Sequence, residues 1–216
     1  VYETTFDESK SFEISKNIIK KHLELDAIYV THSGGASIAN AVIESGKSGK
    51  IKIVAHDLSS DTMHHIKNGT ITATISQDGF GQGYETVIHL FNYLNSGWKP
   101  PVPRMLTTLD LVDKSNWDQY WKPGQGVFES EKSKARRPKP ITKSSKHLKI
   151  VFIGRDGNEF FDSVKMGVNS AAELLKNFNA TVEWQIPKGY RTANGLDASA
   201  KVFGPAIEDS IQKKYD

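Results

Sequence analysis

In the first half of the chain, segments with a helix-like pattern of apolar residues alternate with short apolar segments typical of strands. Residues 14–23 and 85–95 have apolar residues at helical spacing and are predicted as helices. A helix at residues 36–45 is predicted to end at Gly46, and a short helix is predicted from an N-cap at Ser59 or Ser60 to a stop at Asn68-Gly69. Short or extended apolar runs are predicted as strands at residues 27–30, 51–55, 71–75 and 102–112. Because the two kinds of element alternate, the pattern predicts a mostly parallel sheet with helices packed on its faces.

The same alternation begins again at residue 148. Residues 149–154 (KIVFIG) predict a buried strand, and residues 160–178 predict a long amphipathic helix. A second strand is predicted at residues 181–186 and a second helix at residues 199–214, with Pro205 inside it. The chain is therefore predicted to be an α/β protein with open, mostly parallel sheets and helices on both faces.

Residues 125–147 interrupt the alternation with a polar, basic stretch. Residues 129–149 contain eight Lys or Arg and only Glu129 and Glu131 as acidic residues, a local charge of +6. The whole chain carries +3, so subtracting +6 leaves −3 for the rest, which disfavours a nucleic-acid surface there. Two prolines, four serines and no aromatic residue predict an exposed linker. A basic arm for DNA, RNA or anionic lipid is the alternative.

Neither half looks complete as a separate domain. Two strands and two helices after residue 148 bury little surface and leave sheet edges open, and VYETTF at residues 1–6 is predicted as a lone strand. We expect the chain to be a piece of a longer polypeptide, or its halves to complete each other. The halves would complete each other either within one chain or between two chains. Completion between two chains would give a dimer or an exchange of lobes.

Composition and motifs exclude several kinds of chemistry. The chain has no Cys, so disulfides, thiol catalysis and Cys-ligated zinc are excluded. The stretch THSGG at residues 31–35 has neither the Lys of a P-loop nor the Gly-x-Ser-x-Gly of a nucleophile elbow. His56, His64 and His65 lie near two aspartates, but neighbouring histidines on a helix point to different sides. We therefore predict a protein that is not an enzyme, with no metal, no cofactor and no membrane span.

Polar side chains directly follow the predicted strands of both halves. In open parallel sheets, ligands bind beyond the carboxyl ends of the strands. Carboxylates and side-chain amides offer several donors and acceptors, which suits the neighbouring hydroxyls of a neutral polyol, and aromatic rings suit its C–H face. The candidate ligand-binding residues are His32, Ser33, Asp57, Gln77, Asp156, Asn158, Phe160 and Phe161.

The order of these signals resembles one family. Residues 12–121 resemble the C-terminal half of type I periplasmic sugar-binding proteins and the related ligand domains of LacI-type repressors. The likeness is carried by LDAIYVTHSGGASIANAVIESGKSGKIKIVAHDLSSDTMHHIKNGTITATISQDGFGQGYETVIHLFNYLNSG. In that family, one strand ends in a polar pair before an alanine-rich helix, a later strand ends in Asp, and a third ends in Gln. Residues 148–214, beginning LKIVFIGRDGNEFFDSVKMGVNSAAELL, are similar to the start of the same fold.

The resemblance implies periplasmic-binding-protein-like lobes and a division of the chain into three parts. Residues 1–124 would form the C-terminal lobe of one module. Residues 125–147 would form the basic Pro/Ser/Lys linker, and residues 148–216 the start of the N-terminal lobe of a second module. A circular permutant of a single module is the alternative to a tandem protein.

The resemblance also implies roles for the candidates in the first half. Asp57 matches the hinge-side acid that binds sugar hydroxyls, and Gln77 matches the polar residue at the cleft or hinge where the third strand ends. His32, followed by Ser33, stands where a ligand-binding Asn or Asp is usual. For Gln77 and Ser33, local capping of backbone groups is the alternative.

In the second half, Asp156 and Asn158 lie where the family's first loop contacts ligand, and Phe160 and Phe161 match the aromatic pair that stacks on sugar. The implied function is non-catalytic binding of a sugar-like small molecule between two lobes, for an ABC transporter permease or a sensor. The implied location is extracytoplasmic, in the periplasm or on the cell surface. The alternative is the effector-binding domain of a LacI-type transcription regulator, which would be cytoplasmic.

Overall fold

A computed structural model of the chain describes residues 1–3, 7–190 and 195–216. Within them lie two compact units. The first combines Val1–Asp78 with Thr108–Ser130, and the second combines Gly79–Thr107 with Glu131–Asp216. The strand predicted at residues 1–6 falls partly on residues 4–6, which lie outside the described residues.

The first unit holds most of the elements predicted for the first half of the chain. In chain order they are α1 (Glu8–Lys21), β1 (Ala27–Tyr29), α2 (Gly35–Glu44), β2 (Lys52–His56), α3 (Ser60–Asn68), β3 (Ala73–Ser76), β4 (Asp110–Asp113), β5 (Trp121–Lys122) and β6 (Gly126–Val127). The bounds of α2, α3 and β1 to β3 lie within two residues of the predicted bounds. Apolar runs together with cap and stop residues were therefore enough to locate them.

The main sheet of the first unit has the order β1-β2-β3-β4. The first three strands are parallel, with Ile28 opposite Ile53, and β4 pairs antiparallel with β3. The predicted α/β class with a mostly parallel sheet is confirmed. Only Asp110–Asp113 of the extended stretch at residues 102–112 becomes a strand, and prolines without a backbone N–H occupy the beginning of that stretch.

Helices α2 and α3 connect the parallel strands and bury an apolar stripe against them. Both contribute to one core cluster with β2, which includes Ile38, Val42, Ile53, Met63 and Ile66. Helix α3 begins where Ser59 Oγ accepts from the Thr62 N–H at 3.2 Å, and it ends at Gly69 with a φ of 81°. These two crossovers place the residues that follow β1, β2 and β3 side by side at the carboxyl ends of the parallel strands.

The second unit contains one helix from the first half of the chain and all elements of the second half. In chain order they are α4 (Gly79–Ser96), α5 (Glu131–Arg136), β7 (Leu148–Ile153), α6 (Glu159–Lys176), β8 (Ala180–Gln185) and α7 (Gly195–Gln212). Strands β7 and β8 are parallel and in register from Leu148 opposite Ala180 onward. No helix in the described part of the chain has the length and apolar character that a bilayer crossing needs.

Helix α4 packs along α6 and joins the core of the second unit. Phe91 and Ile88 of α4 are fully buried in one cluster with Leu175 of α6 and Ile150 of β7. The helix begins at Gly79, whereas the sequence predicted a start at residue 85. The first turns contain three glycines, which have low helix propensity, and packing against α6 overrides that propensity.

The stretch predicted as an exposed linker is ordered in part by contacts within the second unit. The Asn92 side chain donates to the Lys139 carbonyl at 3.1 Å and accepts from the Ile141 N–H at 3.0 Å. Ser133 in α5 and Ser144 are buried. Hydrogen bonds to Asn92 and the packing of Arg137 over the Phe80 and Tyr84 rings of α4 both hold this polar segment. The division into lobes at residues 1–124, 125–147 and 148–216 stays a prediction, and the compact units have different bounds.

Candidate functional site

The first unit brings two predicted ligand-binding residues into direct contact. Asp57 follows β2 and Gln77 follows β3, and these strands are parallel neighbours. Gln77 Nε2 donates to Asp57 Oδ1 at 2.6 Å. Both side chains are half-buried. We call His32, Ser33, Asp57 and Gln77 the first strand-end group.

The backbone of Asp57 is held in an unusual conformation by β3. Its φ is 67°, in the left-handed region that residues other than glycine rarely adopt. The Asp57 N–H donates to the Ile75 carbonyl at 2.9 Å, and Thr74 Oγ1 donates to the Asp57 carbonyl at 2.8 Å. These two bonds fix the Asp57 backbone, and a fixed backbone limits the positions that the Asp57 carboxylate can take when it binds a ligand.

His32 has one ring nitrogen occupied by a local hydrogen bond. Its Nδ1 accepts from the Gly34 N–H at 2.9 Å, so the proton of the neutral ring is carried by Nε2. Burial lowers the pKa of His32, and the negative charge of Asp57 opposes part of that shift. A Cβ on Gly34 would lie 2.3 Å from the imidazole ring, so a larger residue there would force the His32 ring to move. Ser33 is exposed.

A tyrosine–histidine pair at the same strands was missed by the sequence analysis. Tyr29 is the last residue of β1 and His56 the last of β2, and Tyr29 Oη lies 2.6 Å from His56 Nε2. Tyr29 remains 60% exposed. The sequence signal for this pair is positional: Tyr29 lies near the end of one predicted strand, and His56 directly follows the next.

The loop after β7 carries the second strand-end group, which we define as Asp156, Asn158, Phe160 and Phe161. Asn158 is the N-cap of α6, and its Oδ1 accepts from the Phe161 N–H at 3.0 Å. The Asp156 carbonyl accepts from the Tyr190 hydroxyl at 3.4 Å. The Phe160 and Phe161 rings meet edge to face with centroids 5.3 Å apart.

A cation also lies in this loop. The guanidinium carbon of Arg155 is 6.0 Å from the Phe161 ring centroid, 5.2 Å from that of Tyr190 and 5.3 Å from that of Phe203. The Tyr190 and Phe203 rings themselves meet at 6.2 Å. Arg155 directly follows the strand predicted at residues 149–154 but is not among the candidate ligand-binding residues, and the approach of Tyr190 and Phe203 to it is visible only in the fold.

The histidines that suggested a metal site have other neighbours. His64 packs its ring against buried Trp121 with centroids 4.7 Å apart, and His56 pairs with Tyr29. Among residues 1–3, 7–190 and 195–216, no group of three or more His, Cys, Asp or Glu side chains is arranged to hold a metal ion. Each strand-end group belongs to its own compact unit.

Comparison with known proteins confirms the predicted resemblance. Residues 1–97 match the model of the family described as "Periplasmic binding protein domain". The D-allose-binding periplasmic protein of Escherichia coli (strain K12) is 28% identical over 74 residues, which are 34% of this chain and 24% of that protein. The chain thus spans about a quarter of the length of this curated relative.

Solved structures show the same fold over about half of the chain. A periplasmic ribose ABC transporter protein from Conexibacter woesei is 26% identical, with a TM-score of 0.50 over 55% of this chain and 40% of that one. An ABC transporter solute binding protein from Agrobacterium vitis with bound D-fucose is 23% identical, with the same TM-score and coverage, and shows the fold alone.

Proposed function

We propose, because residues 1–97 match the family model described as "Periplasmic binding protein domain", that the chain is part of a non-catalytic binding protein for a sugar-like small molecule. The D-allose-binding relative and the ribose transporter protein are named for sugars and for transport. These names support a solute-binding role over the effector domain of a transcription regulator.

The contact between Gln77 and Asp57 carries this proposal. It places an amide and a carboxylate side by side at the carboxyl edge of parallel strands, where ligands of open α/β sheets bind. A carboxylate accepts at two oxygens, so the bond from Gln77 leaves acceptor capacity for a sugar hydroxyl. A hydrogen bond between a hydroxyl and a charged group contributes about 1.5–3 kcal/mol.

The neighbouring groups supply complementary chemistry. Burial lowers the pKa of His32, and its Nδ1 accepts from the Gly34 N–H, so the imidazole is a polar group in a fixed position of the same strand-end group. In the second unit, Phe160 and Phe161 offer aromatic surface next to the polar loop of Asp156 and Asn158. Each group by itself offers chemistry that suits a sugar: polar side chains for its hydroxyls in both units and, in the second unit, aromatic rings for its C–H face.

The setting of this binding follows from the same relatives. We infer an extracytoplasmic location, in the periplasm or on the cell surface, because the curated relative is a periplasmic protein. The partner would be an ABC permease or a sensor that reads the bound state. An exchange of lobes between copies, or a dimer, is one way in which the chain would complete its fold.

A thermal-shift screen of the chain against neutral sugars, followed by calorimetric titration of each hit, tests the proposal. Binding to the folded state raises the melting temperature. Asp57→Asn keeps a residue that tolerates positive φ but removes the charge, and it should weaken binding about 10- to 100-fold. Asp26→Asn is the matched control, because Asp26 is exposed just before β1, at the opposite edge of the sheet.

Two results would contradict the proposal. The first is a panel in which no sugar or polyol raises the melting temperature of the unmodified chain. The second is a sugar that binds Asp57→Asn and Asp26→Asn equally well, which would place its site elsewhere on the molecule.

A further inference from the structure

The second unit carries a basic surface that has no part in the proposed sugar site. Residues 131–149 contain eight Lys or Arg and one acidic residue, Glu131. Among the residues that the structure describes, no ion pair or side-chain hydrogen bond occupies three exposed cations of this stretch, which are Arg136, Lys139 and Lys143. Cations on one short segment repel each other, so a partner with negative charge would relieve that repulsion.

This surface is ordered, although its composition is typical of a linker. Besides the bonds to Asn92 described above, the Asn95 side chain donates to the Thr142 carbonyl at 2.8 Å. The Ser144 N–H donates to the Phe178 carbonyl at 3.1 Å. These bonds use backbone atoms of the stretch, so they fix its course without occupying the cationic side chains.

The cations are spread along α4 rather than gathered at one point. Arg137, next to Arg136, packs over the Phe80 ring near the beginning of α4, with its guanidinium carbon 4.7 Å from the ring centroid. Thr142, next to Lys143, is bonded to Asn95 near the end of that helix. At about 1.5 Å per residue, the distance along α4 between these contacts is about 22 Å. A line of this length suits an extended anionic surface rather than one small anion.

An exposed apolar side chain lies among these cations. Ile141 is 52% exposed and stands between Lys139 and Lys143 in the chain. Residues 131–149 contain no aromatic ring on which a nucleic-acid base could stack. Cations around an apolar side chain match the boundary of an anionic bilayer, because headgroup phosphates meet the cations and acyl chains meet the apolar group.

We propose that residues 136–143 bind the surface of a bilayer that contains anionic phospholipid. Arg136, Lys139 and Lys143 attract headgroup phosphates, and Ile141 enters the interface between them. Each cation near such a surface strengthens binding about fivefold at low salt. The inference goes beyond the proposed function and does not depend on sugar binding.

Co-sedimentation of the full chain with vesicles tests the inference. The vesicles contain phosphatidylcholine with about 30% phosphatidylglycerol, or phosphatidylcholine alone, in about 50 mM salt. One triple variant combines Arg136→Gln, Lys139→Gln and Lys143→Gln. The control triple variant combines three exposed positions of the first unit, Lys10→Gln, Lys20→Gln and Lys50→Gln. Both remove three charges from a formal net charge of +3, so both have a net charge of 0.

We expect the unmodified chain to bind the anionic vesicles but not the phosphatidylcholine vesicles, and to be released in about 500 mM salt. The first triple variant should bind at least about tenfold more weakly, and the control variant within about twofold of the unmodified chain. Ile141→Ser should bind the vesicles about threefold more weakly. All the changed side chains are exposed, so unchanged melting temperatures should show that the variants fold.

Four results would overturn the inference. The first is no binding to anionic vesicles at low salt, and the second is an equal loss in both triple variants, which would make net charge the only cause. The third is duplex DNA that binds more tightly than vesicles at equal phosphate concentration, which would make the stretch a nucleic-acid arm. The fourth is release from vesicles when inorganic phosphate replaces chloride at constant ionic strength, which would indicate a site for a single phosphate. Sugar titrations test the proposed function separately.

Discussion

Gly83 of α4 and Gly167 of α6 occupy reciprocal positions in one helix–helix contact. A Cβ on Gly83 would lie 2.1 Å from the Val164 carbonyl oxygen, and a Cβ on Gly167 would lie 2.1 Å from the Phe80 carbonyl oxygen. Cβ atoms do not approach carbonyl oxygens so closely. The two helix backbones therefore touch with no side chain between them. At each glycine, the missing side chain leaves room for a carbonyl oxygen of the other helix.

Alanine at either glycine should destabilise the second unit. Gly83→Ala and Gly167→Ala each insert a methyl group against backbone, which cannot move aside as a flexible side chain would. We expect a loss of about 1–3 kcal/mol in the free energy of unfolding for each variant. Urea denaturation followed by tryptophan fluorescence measures it, since Trp184 lies in this unit and packs against its core.

Gly204 provides the control for this pair. It lies in helix α7, and a Cβ built on it meets no atom within 4 Å. Gly204→Ala should leave stability unchanged or raise it by up to about 1 kcal/mol, because Ala has the higher helix propensity. Equal losses in all three variants would show that the α4–α6 contact has no special requirement for glycine.

Asp57 and Gln77 should be energetically coupled even without a ligand. Their side chains share a hydrogen bond of 2.6 Å between half-buried groups. Asp57→Ala and Gln77→Ala each remove one partner of this bond and should each lower the free energy of unfolding, and the double variant should lose less than the sum. A coupling energy of about 0.5–3 kcal/mol is expected from a double-mutant cycle in urea. Strict additivity would mean that the bond is absent in solution.

Stability should depend on the protonation of His32. Burial lowers the pKa of His32 from its ordinary value of 6.5, so the unfolded chain binds the proton more readily than the folded one. The free energy of unfolding therefore falls as the pH decreases through 6.5. Protonated Nδ1 would also be unable to accept from the Gly34 N–H.

Melting temperatures between about pH 7.5 and pH 5.5 measure this dependence. His32→Gln should reduce the slope but not abolish it, because burial also lowers the pKa of His65 and His89. His22→Gln, at an exposed site after α1, controls for the loss of an imidazole. An unchanged slope in His32→Gln would mean that the His32 ring is already solvated in the folded state.

Asn92 should protect the basic stretch from proteolysis. Its amide bonds the backbone at Lys139 and Ile141, and the stretch around them contains many Lys and Arg sites for trypsin. Asn92→Ala removes both bonds, so limited trypsin digestion should cut between residues 131 and 147 several-fold faster, because cleavage requires local opening. Asn40→Ala, at an exposed position in α2, should leave the rate unchanged.

The residues that follow the strands show which parts of the candidate site can be predicted from the sequence. Asp57 and Gln77 were predictable as neighbours, because parallel strands with short crossovers bring their carboxyl ends to one edge. The Asn158 side chain has a capping bond to the Phe161 N–H, a local use that composition cannot distinguish from ligand binding. The rings around Arg155 come from Tyr190 and Phe203, which no periodicity connects to it.

The sequence by itself determined the alternation of helices and strands, the parallel sheet and the polar residues that follow each strand. These features depend on the period of apolar residues within ten or so positions, and that period is visible in one segment at a time. Only the tertiary structure decided that α4 packs with α6, that the basic stretch is bonded to Asn92 and that rings surround Arg155. Those choices depend on complementary surfaces between distant segments, such as the notches at Gly83 and Gly167, which have no local period.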